Sequence, residues 1–363
     1  MFLEGTMDNQ SKTVVLTGGG TVGHVTLNKL LIPEFINEGY TPVYIGSKNG
    51  LEKEMISELN IAYKQISSGK LRRYLSLENV LDIFRVGKGV IDSFLHLRKL
   101  KPRFVFSKGG FVSVPVVIAS RLLGIPVYIH ESDLTPGLAN KIAAKFATEI
   151  YVTFRITTQF LPENKTHFLG PVIREDLRAD KSESGYQLTG FNHEKPVMLV
   201  MGGSQGARVI NELIRSNIDT LTKTYQIIHL CGKGNLDLSI DHNDYRQYEF
   251  VTTELAALLS IADIVVGRSG ANAIFEYLLS KKPMILIPLP ASQSRGDQIE
   301  NARYFEQQRV ATVIKEDELN IDTLQQAIQY IDHHRVEMVG KMQQYKGGFT
   351  PLELVNRLTA ARR

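Results

Sequence analysis

Two similar glycine-rich segments, one in each half of the chain, constrain its fold more than any other feature of the sequence. Residues 19–25 and residues 202–209 each follow a short apolar run. A strand, a glycine-rich turn and a helix in succession form the opening unit of a doubly wound parallel sheet. The repetition therefore predicts an α/β fold in which two domains each begin with such a unit.

Short apolar runs alternate with amphipathic stretches along the rest of the chain, which is typical of parallel sheets covered by helices. In the first half the predicted strands are residues 13–17, 41–45, 103–107, 126–130 and 149–152. In the second half they are residues 196–201, 226–231, 263–267, 283–287 and 310–313.

The length of 363 residues exceeds what one hydrophobic core usually supports. We therefore predict two Rossmann-like domains, residues 12–170 and 171–349, with a hinge near Gly170 and a cleft between them. A final helix within residues 350–363 is expected to pack back on the first domain.

Composition limits the cellular setting. Hydrophobic residues make up 43% and charged residues 22% of the chain, as in ordinary soluble globular proteins. The single cysteine, Cys231, excludes a disulfide framework or a multi-cysteine metal site and suits a reducing compartment. The first residues lack the basic start and apolar stretch of a secretory signal, and no apolar run is long enough to span a bilayer. We expect a protein at the cytoplasmic face of the cell membrane, attached peripherally.

A basic segment points to that membrane contact. Residues 70–103 contain nine Lys and Arg against three acidic residues, whereas the net charge of the whole chain is only +4. Apolar residues recur in this segment at roughly helical spacing, so an amphipathic helix on an anionic membrane surface is one interpretation, and an ordinary core-facing helix is the other. The local charge does not indicate nucleic-acid binding. The candidate membrane residues are Arg72, Arg73, Phe84, Arg85 and Lys88.

The two glycine turns are candidate diphosphate sites, because a helix that begins at such a turn presents backbone N–H groups to phosphate oxygens. The first turn also fits a dinucleotide fingerprint at Gly18, Gly20 and Gly23. However, residues 45–48 after the second predicted strand contain no acid for a ribose. The alternative is that the glycines only permit tight turns and close packing.

A nucleotide diphosphate that departs in a reaction needs its growing charge stabilised. No Asp-x-Asp pair, which would hold a metal for this purpose, occurs in the sequence, so we expect no essential metal or other cofactor. Arg174 and Arg268 are the candidate cations, with a structural salt bridge as the alternative for each.

Proton transfer has one clear candidate. His24 directly follows the first glycine turn, and an imidazole suits a general base near neutral pH. Its alternative role is a hydrogen bond to a phosphate or to the backbone. Asp133, which follows His130 and Glu131 after a predicted strand, either orients an acceptor or caps the next helix.

The second half offers further polar candidates. Ser269 and Gly270 begin a predicted helix in which Glu276 is placed to bind ribose hydroxyls, unless it is only a solvated charge. Gln298 follows another strand and can reach a sugar hydroxyl through either end of its amide.

These motifs together resemble the MurG family, the lipid-linked N-acetylglucosaminyltransferases of peptidoglycan synthesis, over about residues 13–300. The matching segments are residues 17–24, 107–113, 130–131, 202–207 and 268–271. The resemblance implies a GT-B fold and inverting transfer of N-acetylglucosamine from UDP-N-acetylglucosamine (UDP-GlcNAc). The acceptor would be the C4 hydroxyl of the muramyl sugar in undecaprenyl-diphospho-muramoyl-pentapeptide (lipid I), and the product would be lipid II.

The resemblance also assigns the site. His24 and Glu276 are the catalytic candidates, and His24 with Gly109 and Gly110 faces the acceptor. The candidate substrate-binding residues are Thr17, Gly18, Gly19, Gly109, Gly110, Asp133, Arg174, Ser204, Gln205, Val251, Arg268, Ser269, Gly270 and Gln298. The implied partners are UDP-GlcNAc, the undecaprenyl-linked muramyl pentapeptide, an anionic membrane and a cell-wall or division complex.

Three other functions fit parts of the pattern. A GT-B transferase with another lipid acceptor, such as diacylglycerol, differs only in the acceptor that it uses. A UDP-GlcNAc epimerase would turn over without lipid. A catalytically dead member of a cell-wall complex would bind the nucleotide sugar without transferring it.

Overall fold

The computed structural model describes residues 11–69, 77–345 and 347–360. Two compact units divide these residues. The first unit runs to Val172 and resumes at Phe349, and the second runs from Ile173 to Gly348. The unit boundary lies two residues after the predicted one.

The first unit is built on a seven-stranded parallel sheet with the order β3-β2-β1-β4-β5-β6-β7. Its elements are β1 Thr13–Thr17, α1 Gly23–Asn37, β2 Thr41–Ser47, α2 Leu51–Ser57, β3 Ala62–Ile66, α3 Leu77–Leu100, β4 Val105–Ser107, α4 Ser113–Leu122, β5 Val127–Glu131, α5 Leu138–Ala143, β6 Glu149–Val152 and β7 Thr166–Phe168. Short 3-10 turns at Arg155–Phe160 and Glu163–Lys165 connect β6 to β7.

The second unit is built on a six-stranded parallel sheet with the order β10-β9-β8-β11-β12-β13. Its elements are α6 Ser182–Thr189, β8 Val197–Met201, α7 Arg208–Ser216, α8 Ile218–Leu221, β9 Gln226–Leu230, β10 Tyr245–Tyr248, α9 Leu255–Ile261, β11 Ile264–Gly267, α10 Ala271–Leu279, β12 Met284–Leu286, α11 Asp297–Gln307, β13 Ala311–Val313 and α12 Ile321–Gln344. Two 3-10 turns, Glu175–Arg178 and Glu316–Glu318, flank these elements.

Each sheet reverses its strand order beside its first strand. β1 pairs with both β2 and β4, and β8 pairs with both β9 and β11. Ligands of open parallel sheets bind at the carboxyl ends of strands at such a switch point. Both glycine-rich turns therefore start where a ligand site is expected.

Helices cover both faces of the first sheet, as strand alternation requires. Val14 and Leu16 of β1 pack into one core with α1, whereas Val15 packs into the core on the opposite face. The last helix, α13 Pro351–Ala360, belongs to the first of these cores. Its Leu354 and Leu358 are buried there, so the end of the chain returns to the first unit.

Three strands were missing from the sequence prediction, namely β3, β7 and β10. Each lies at an edge of its sheet, and each has partly exposed residues. Edge strands alternate polar and apolar residues instead of forming the continuous apolar runs of central parallel strands. A search for apolar runs therefore could not find them.

Helix α3 carries two apolar faces. Leu97 is buried, and Val90 and Phe94 pack against the same core. Phe84, Ile91 and Leu95 lie on another face and are 72%, 62% and 59% exposed. The core-facing interpretation therefore holds for Phe94 but is wrong for these three residues. In the part of the chain that the structure describes, no helix has the length and hydropathy needed to cross a bilayer.

Candidate active site

The first glycine turn fixes the hydrogen-bonding state of His24. His24 lies in the first turn of α1, and its Nδ1 is 3.1 Å from the Gly19 carbonyl oxygen and 3.0 Å from Thr21 Oγ1. A carbonyl oxygen only accepts hydrogen bonds, so Nδ1 carries the hydrogen. In the neutral ring Nε2 then keeps its lone pair and can accept a proton.

The turn after β4 packs directly on this arrangement. Gly110 has a φ of +82°, and a Cβ added there would lie 2.0 Å from the Gly19 oxygen and 3.0 Å from His24 Nδ1. Gly19 also donates its N–H to the Gly109 oxygen at 3.3 Å. The structure thus brings Gly19, His24, Gly109 and Gly110 together at the ends of β1 and β4.

A buried carboxylate shapes the loop after β5. Glu131 accepts hydrogen bonds of 3.0 Å from Asp133 N, Gly137 N and Asn140 Nδ2. The N-cap residue of α5 is Gly137 and not Asp133, and Glu131 holds the loop that leads into this helix.

Glu52 is a site residue that the sequence analysis missed. This side chain is fully buried, and it accepts hydrogen bonds from Gly20 N at 3.4 Å, from Ser47 N at 3.0 Å and from Ser47 Oγ. The sequence interpretation considered acids only as far as Lys48. Glu52 lies in the next helix, α2, which places its carboxylate beside Ser47. A carboxylate at the first glycine turn disfavours a diphosphate beside it, so the second turn is the better candidate for a diphosphate site.

The glycine turn of the second unit is open. Gly203 has a φ of +93°, and a Cβ added there would have no neighbour within 4 Å. Gly206 instead packs on the Cys231 carbonyl, 2.1 Å from the position of an added Cβ. Lys233 N donates to the Ser204 carbonyl and Asn235 Nδ2 donates to the Gln205 carbonyl, and these two bonds fix the turn to the segment after β9.

Two helices begin near this turn without side-chain caps. Ala207 precedes α7 and Gly270 precedes α10, and neither N-cap side chain accepts a hydrogen bond from its helix. Each helix has nine residues. Their first N–H groups are therefore available to an anion, and the helix dipoles favour negative charge there.

The two candidate arginines differ in their surroundings. Arg268 pairs with Glu316 and donates to the carbonyls of Ile287 and Pro288, contacts that favour its alternative role in a structural salt bridge. Arg174 donates to the Thr252 carbonyl and lies 3.5 Å from Asp176, but its Nη2 is buried without a partner. Arg174 is the better candidate cation.

Glu276 is half-buried in α10, and the pKa of its carboxyl is raised. Burial raises the pKa of its carboxyl from 4.5 to about 7, with Arg174 opposing this shift and Asp176 adding to it. Since Arg174, Asp176 and Glu276 influence one another, they form one charged cluster. The alternative of a solvated surface charge is wrong for Glu276.

Two other predicted residues of the second unit serve to hold the site. Ser269 is buried and donates from Oγ to the Gln298 carbonyl at 2.8 Å. Gln298 Oε1 accepts a hydrogen bond from Leu289 N at 3.1 Å. Oε1 keeps a second lone pair and the NH₂ group can donate, so the reach of this amide to a sugar hydroxyl stays a prediction.

The remaining predicted residues differ in their exposure and contacts. Thr17 is fully buried in β1, so its side chain presents no surface to a ligand, whereas Val251 is half-buried after β10. Arg72 and Arg73 lie outside the described residues. Arg85 of α3 pairs with Asp82 at 3.0 Å, and Lys88 is exposed. Within residues 11–69, 77–345 and 347–360, no group of three His, Cys, Asp or Glu side chains is arranged to hold a metal.

Comparisons with known proteins identify the family. The N-terminal domain model of glycosyltransferase family 28 matches residues 14–152, and its C-terminal domain model matches residues 197–349. The chain is 54% identical to the UDP-N-acetylglucosamine–N-acetylmuramyl-(pentapeptide) pyrophosphoryl-undecaprenol N-acetylglucosamine transferase of Staphylococcus carnosus, covering 95% of this chain and 96% of the relative. The transferase of the same name from Staphylococcus saprophyticus is also 54% identical, covering 95% of this chain and 97% of the relative.

Solved structures agree on the fold. The crystal structure of Acinetobacter baumannii MurG matches with a TM-score of 0.76 at 22% identity, covering 96% of this chain and 99% of that one. The calicheamicin glycosyltransferase CalG4 matches with a TM-score of 0.68 at 15% identity, covering 97% and 98%. The predicted GT-B class, with two Rossmann-like domains, is confirmed. The chain therefore belongs to glycosyltransferase family 28, and within it to the UDP-N-acetylglucosamine–N-acetylmuramyl-(pentapeptide) pyrophosphoryl-undecaprenol N-acetylglucosamine transferases.

Proposed function

We propose that the chain transfers N-acetylglucosamine from UDP-GlcNAc to the C4 hydroxyl of the muramyl sugar of lipid I, forming lipid II with inversion at the anomeric carbon. The observation that carries this proposal is 54% identity, over 95% of the chain, to transferases named for this donor and acceptor. The candidate base in the first unit and the candidate diphosphate site in the second unit support it.

The first unit supplies the base and the acceptor loops. Nε2 of His24 takes the proton of the C4 hydroxyl, because Nδ1–H is held by the Gly19 carbonyl. The hydroxyl oxygen then bonds to the anomeric carbon while the bond from that carbon to the diphosphate oxygen breaks. Gly109 and Gly110 present their backbone to the acceptor, since a side chain on Gly110 would meet Gly19 and His24 and one on Gly109 would meet Asn140.

The second unit holds the donor. The open turn around Gly203 and Ser204 and the uncapped starts of α7 and α10 receive the diphosphate. Arg174 adds a positive charge where the leaving group becomes more negative, which is stabilisation without a metal. Glu276 accepts hydrogen bonds from the ribose, and the NH₂ group of Gln298 donates to the sugar.

Helix α3 provides the contact with the membrane in which the acceptor is anchored. Its exposed Phe84, Ile91 and Leu95 enter the interface, and Arg85 and Lys88 face anionic headgroups. Each cation near such a surface contributes about 1 kcal/mol. We place the enzyme peripherally on the cytoplasmic leaflet, and a cell-wall or division complex stays a prediction from the family resemblance.

The test is transfer of radiolabel from UDP-GlcNAc to a short-chain muramyl lipid analogue, with diacylglycerol and a lipid-free mixture as parallel acceptor conditions. We expect label in the muramyl lipid alone and a loss of about 100-fold or more in turnover for His24→Ala. Label in diacylglycerol would support another lipid acceptor, and an epimer of UDP-GlcNAc without lipid would support an epimerase. Binding of UDP-GlcNAc without any transfer would support a catalytically dead partner protein.

A further inference from the structure

We propose that Glu52 is a positioning residue that acts on His24 through the peptide group joining Gly19 to Gly20. This inference rests on the proposed role of His24 as the base. It extends that role to a carboxylate far from it in sequence that has no direct hydrogen bond to the imidazole in the described contacts.

One amide connects the two side chains. The N–H of Gly20 donates to Glu52 Oε2 at 3.4 Å, and the carbonyl of Gly19 accepts from His24 Nδ1 at 3.1 Å. These two groups are the opposite ends of a single planar peptide unit. Carboxylate, peptide and imidazole therefore form one continuous chain of hydrogen bonds.

Glu52 is fixed in this position. Its carboxylate is fully buried, and its described hydrogen bonds all come from donors, with Oε1 held by the N–H and the hydroxyl of Ser47. An ionised carboxylate satisfies such donors, because it only accepts. A Cβ added to Gly19 would lie 2.7 Å from the Glu52 carboxyl carbon, so the absence of a side chain at Gly19 permits this approach.

The arrangement favours the charge that the reaction creates. A negative charge at the N–H end of an amide polarises it and makes its carbonyl oxygen a stronger acceptor. When Nε2 takes the proton of the acceptor hydroxyl, the imidazole becomes positive, and the polarised Gly19 carbonyl stabilises it through Nδ1–H. In hydrolase triads a carboxylate bonds directly to the histidine for the same purpose, whereas here a peptide group lies between them.

Other ionisable groups pack around this chain. Tyr44 of β2 donates to the Gly18 carbonyl, and Tyr63 of β3 donates to the Ser47 carbonyl. Burial, and also the negative charge of Glu52, raise the pKa of both tyrosines, so they stay neutral at physiological pH. Lys108 after β4 bonds to Ser132, and Lys29 of α1 pairs with Glu58. Glu52 is the acid that contacts the Gly19–Gly20 peptide.

The experiment compares Glu52→Gln with Glu54→Gln in the full chain. Glu54 is exposed on the same helix, so the control removes the same charge without touching the peptide. Gln keeps the size of the side chain and one acceptor oxygen, which can still accept from Ser47, while its NH₂ group replaces the oxygen that accepts from the Gly20 N–H. We expect Glu52→Gln to lower kcat about tenfold, to leave the KM for UDP-GlcNAc unchanged, and to move the acidic limb of the kcat/KM profile down by about half a pH unit or more.

A second readout does not depend on transfer. The His24 ring is titrated by NMR in the wild type and both variants, with His24→Gln used to assign its signals. We expect a lower His24 titration midpoint in Glu52→Gln alone. An unshifted midpoint, or a profile equal to that of Glu54→Gln, would overturn the proposal. If the wild type transfers no sugar but the midpoint still shifts, the proposed function fails while the coupling of Glu52 to His24 stands.

Discussion

A backbone carbonyl orients one catalytic candidate, His24, and burial raises the pKa of the other, Glu276. His24 is oriented by a carbonyl oxygen, whereas Glu276 is neutralised by partial removal from water and only partly restored by Arg174. The position of His24 after a glycine turn was visible in the sequence. The raised pKa of Glu276 was not, because it depends on burial in the folded unit and, to a smaller extent, on Asp176, which is distant in the chain.

The pKa of Glu276 predicts a pH dependence of donor binding. Ribose hydroxyls donate to the ionised carboxylate, and this form is the minor one below a pKa of about 7. We expect the affinity for UDP-GlcNAc to fall by about tenfold per pH unit below that pKa and to level off above it. UDP-GlcNAc is the suitable ligand because its phosphates are both esterified and do not titrate there. Calorimetry at several pH values measures this, and a flat profile in Glu276→Gln is the control.

The same shift has a defined effect on stability. The folded state binds the Glu276 proton more tightly than the unfolded chain, so this contribution is complete below pH 4.5 and is lost as pH rises to about 7. The wild type should therefore lose stability relative to Glu276→Gln across that window. Donor affinity and relative stability that are both independent of pH would contradict the raised pKa.

At the scale of elements, the glycine turns are not interchangeable. Gly110 packs against Gly19 and His24 in the first unit, whereas Gly206 packs against Cys231 behind the donor turn. A methyl group at either position must displace backbone, and a misplacement of about 1 Å in a catalytic group costs up to about 100-fold in rate.

We predict that Gly110→Ala lowers kcat with little change in the KM for UDP-GlcNAc, and that Gly206→Ala mainly raises that KM. Gly39→Ala is the matched control, because Gly39 has a φ of +77° but open space around it and so reports backbone strain alone. Steady-state kinetics of the three variants distinguishes the effects. The same kinetic defect in both site variants would contradict the division of roles.

Helix α3 allows a separate test of the membrane contact. The combined change Phe84→Ser and Lys88→Glu removes an exposed aromatic ring and reverses an exposed charge without disturbing a buried residue. We expect several-fold weaker sedimentation with vesicles that contain anionic lipid, and a weaker response to salt. Lys223→Glu, an exposed site in the second unit, is the control. Unchanged sedimentation of the α3 variant would show that this face of α3 does not bind anionic membranes.

The elements also show which features of the structure could be predicted from the sequence. Central strands were predicted closely because they are continuous apolar runs, as in β1 and β6. The partners of Ser269 and Gln298 could not be predicted, since a serine hydroxyl or a glutamine amide fits a ligand as well as a neighbouring loop. Only the structure shows that the Ser269 hydroxyl donates to the Gln298 carbonyl and that the Gln298 amide oxygen accepts from Leu289 N.

In the whole molecule, one supersecondary unit serves two purposes. Both units open with a strand, a glycine turn and a helix, and one glycine of each turn, Gly20 or Gly203, has open space around it. The first turn also contacts the buried Glu52 and holds His24, the candidate base. Sequence similarity between the turns predicted the common fold correctly, whereas a common diphosphate ligand stays a prediction that the buried Glu52 at the first turn disfavours.

Charge stabilisation by helix starts and Arg174 predicts that the enzyme needs no divalent metal. We expect transfer activity to retain most of its rate after exhaustive treatment with a chelator. Activity with and without added magnesium, measured on the same chelated preparation, is the check. A loss that magnesium restores would show that a metal carries the diphosphate charge.

Amide hydrogen exchange with bound UDP tests the division of the two turns most directly. Backbone N–H groups that hold the diphosphate should exchange more slowly in residues 203–209 and 270–273, and more so with UDP than with uridine. Residues 18–23 should show no comparable protection from UDP alone. Protection at the first turn instead, or equal protection by uridine, would contradict the assignment of the diphosphate to the second unit.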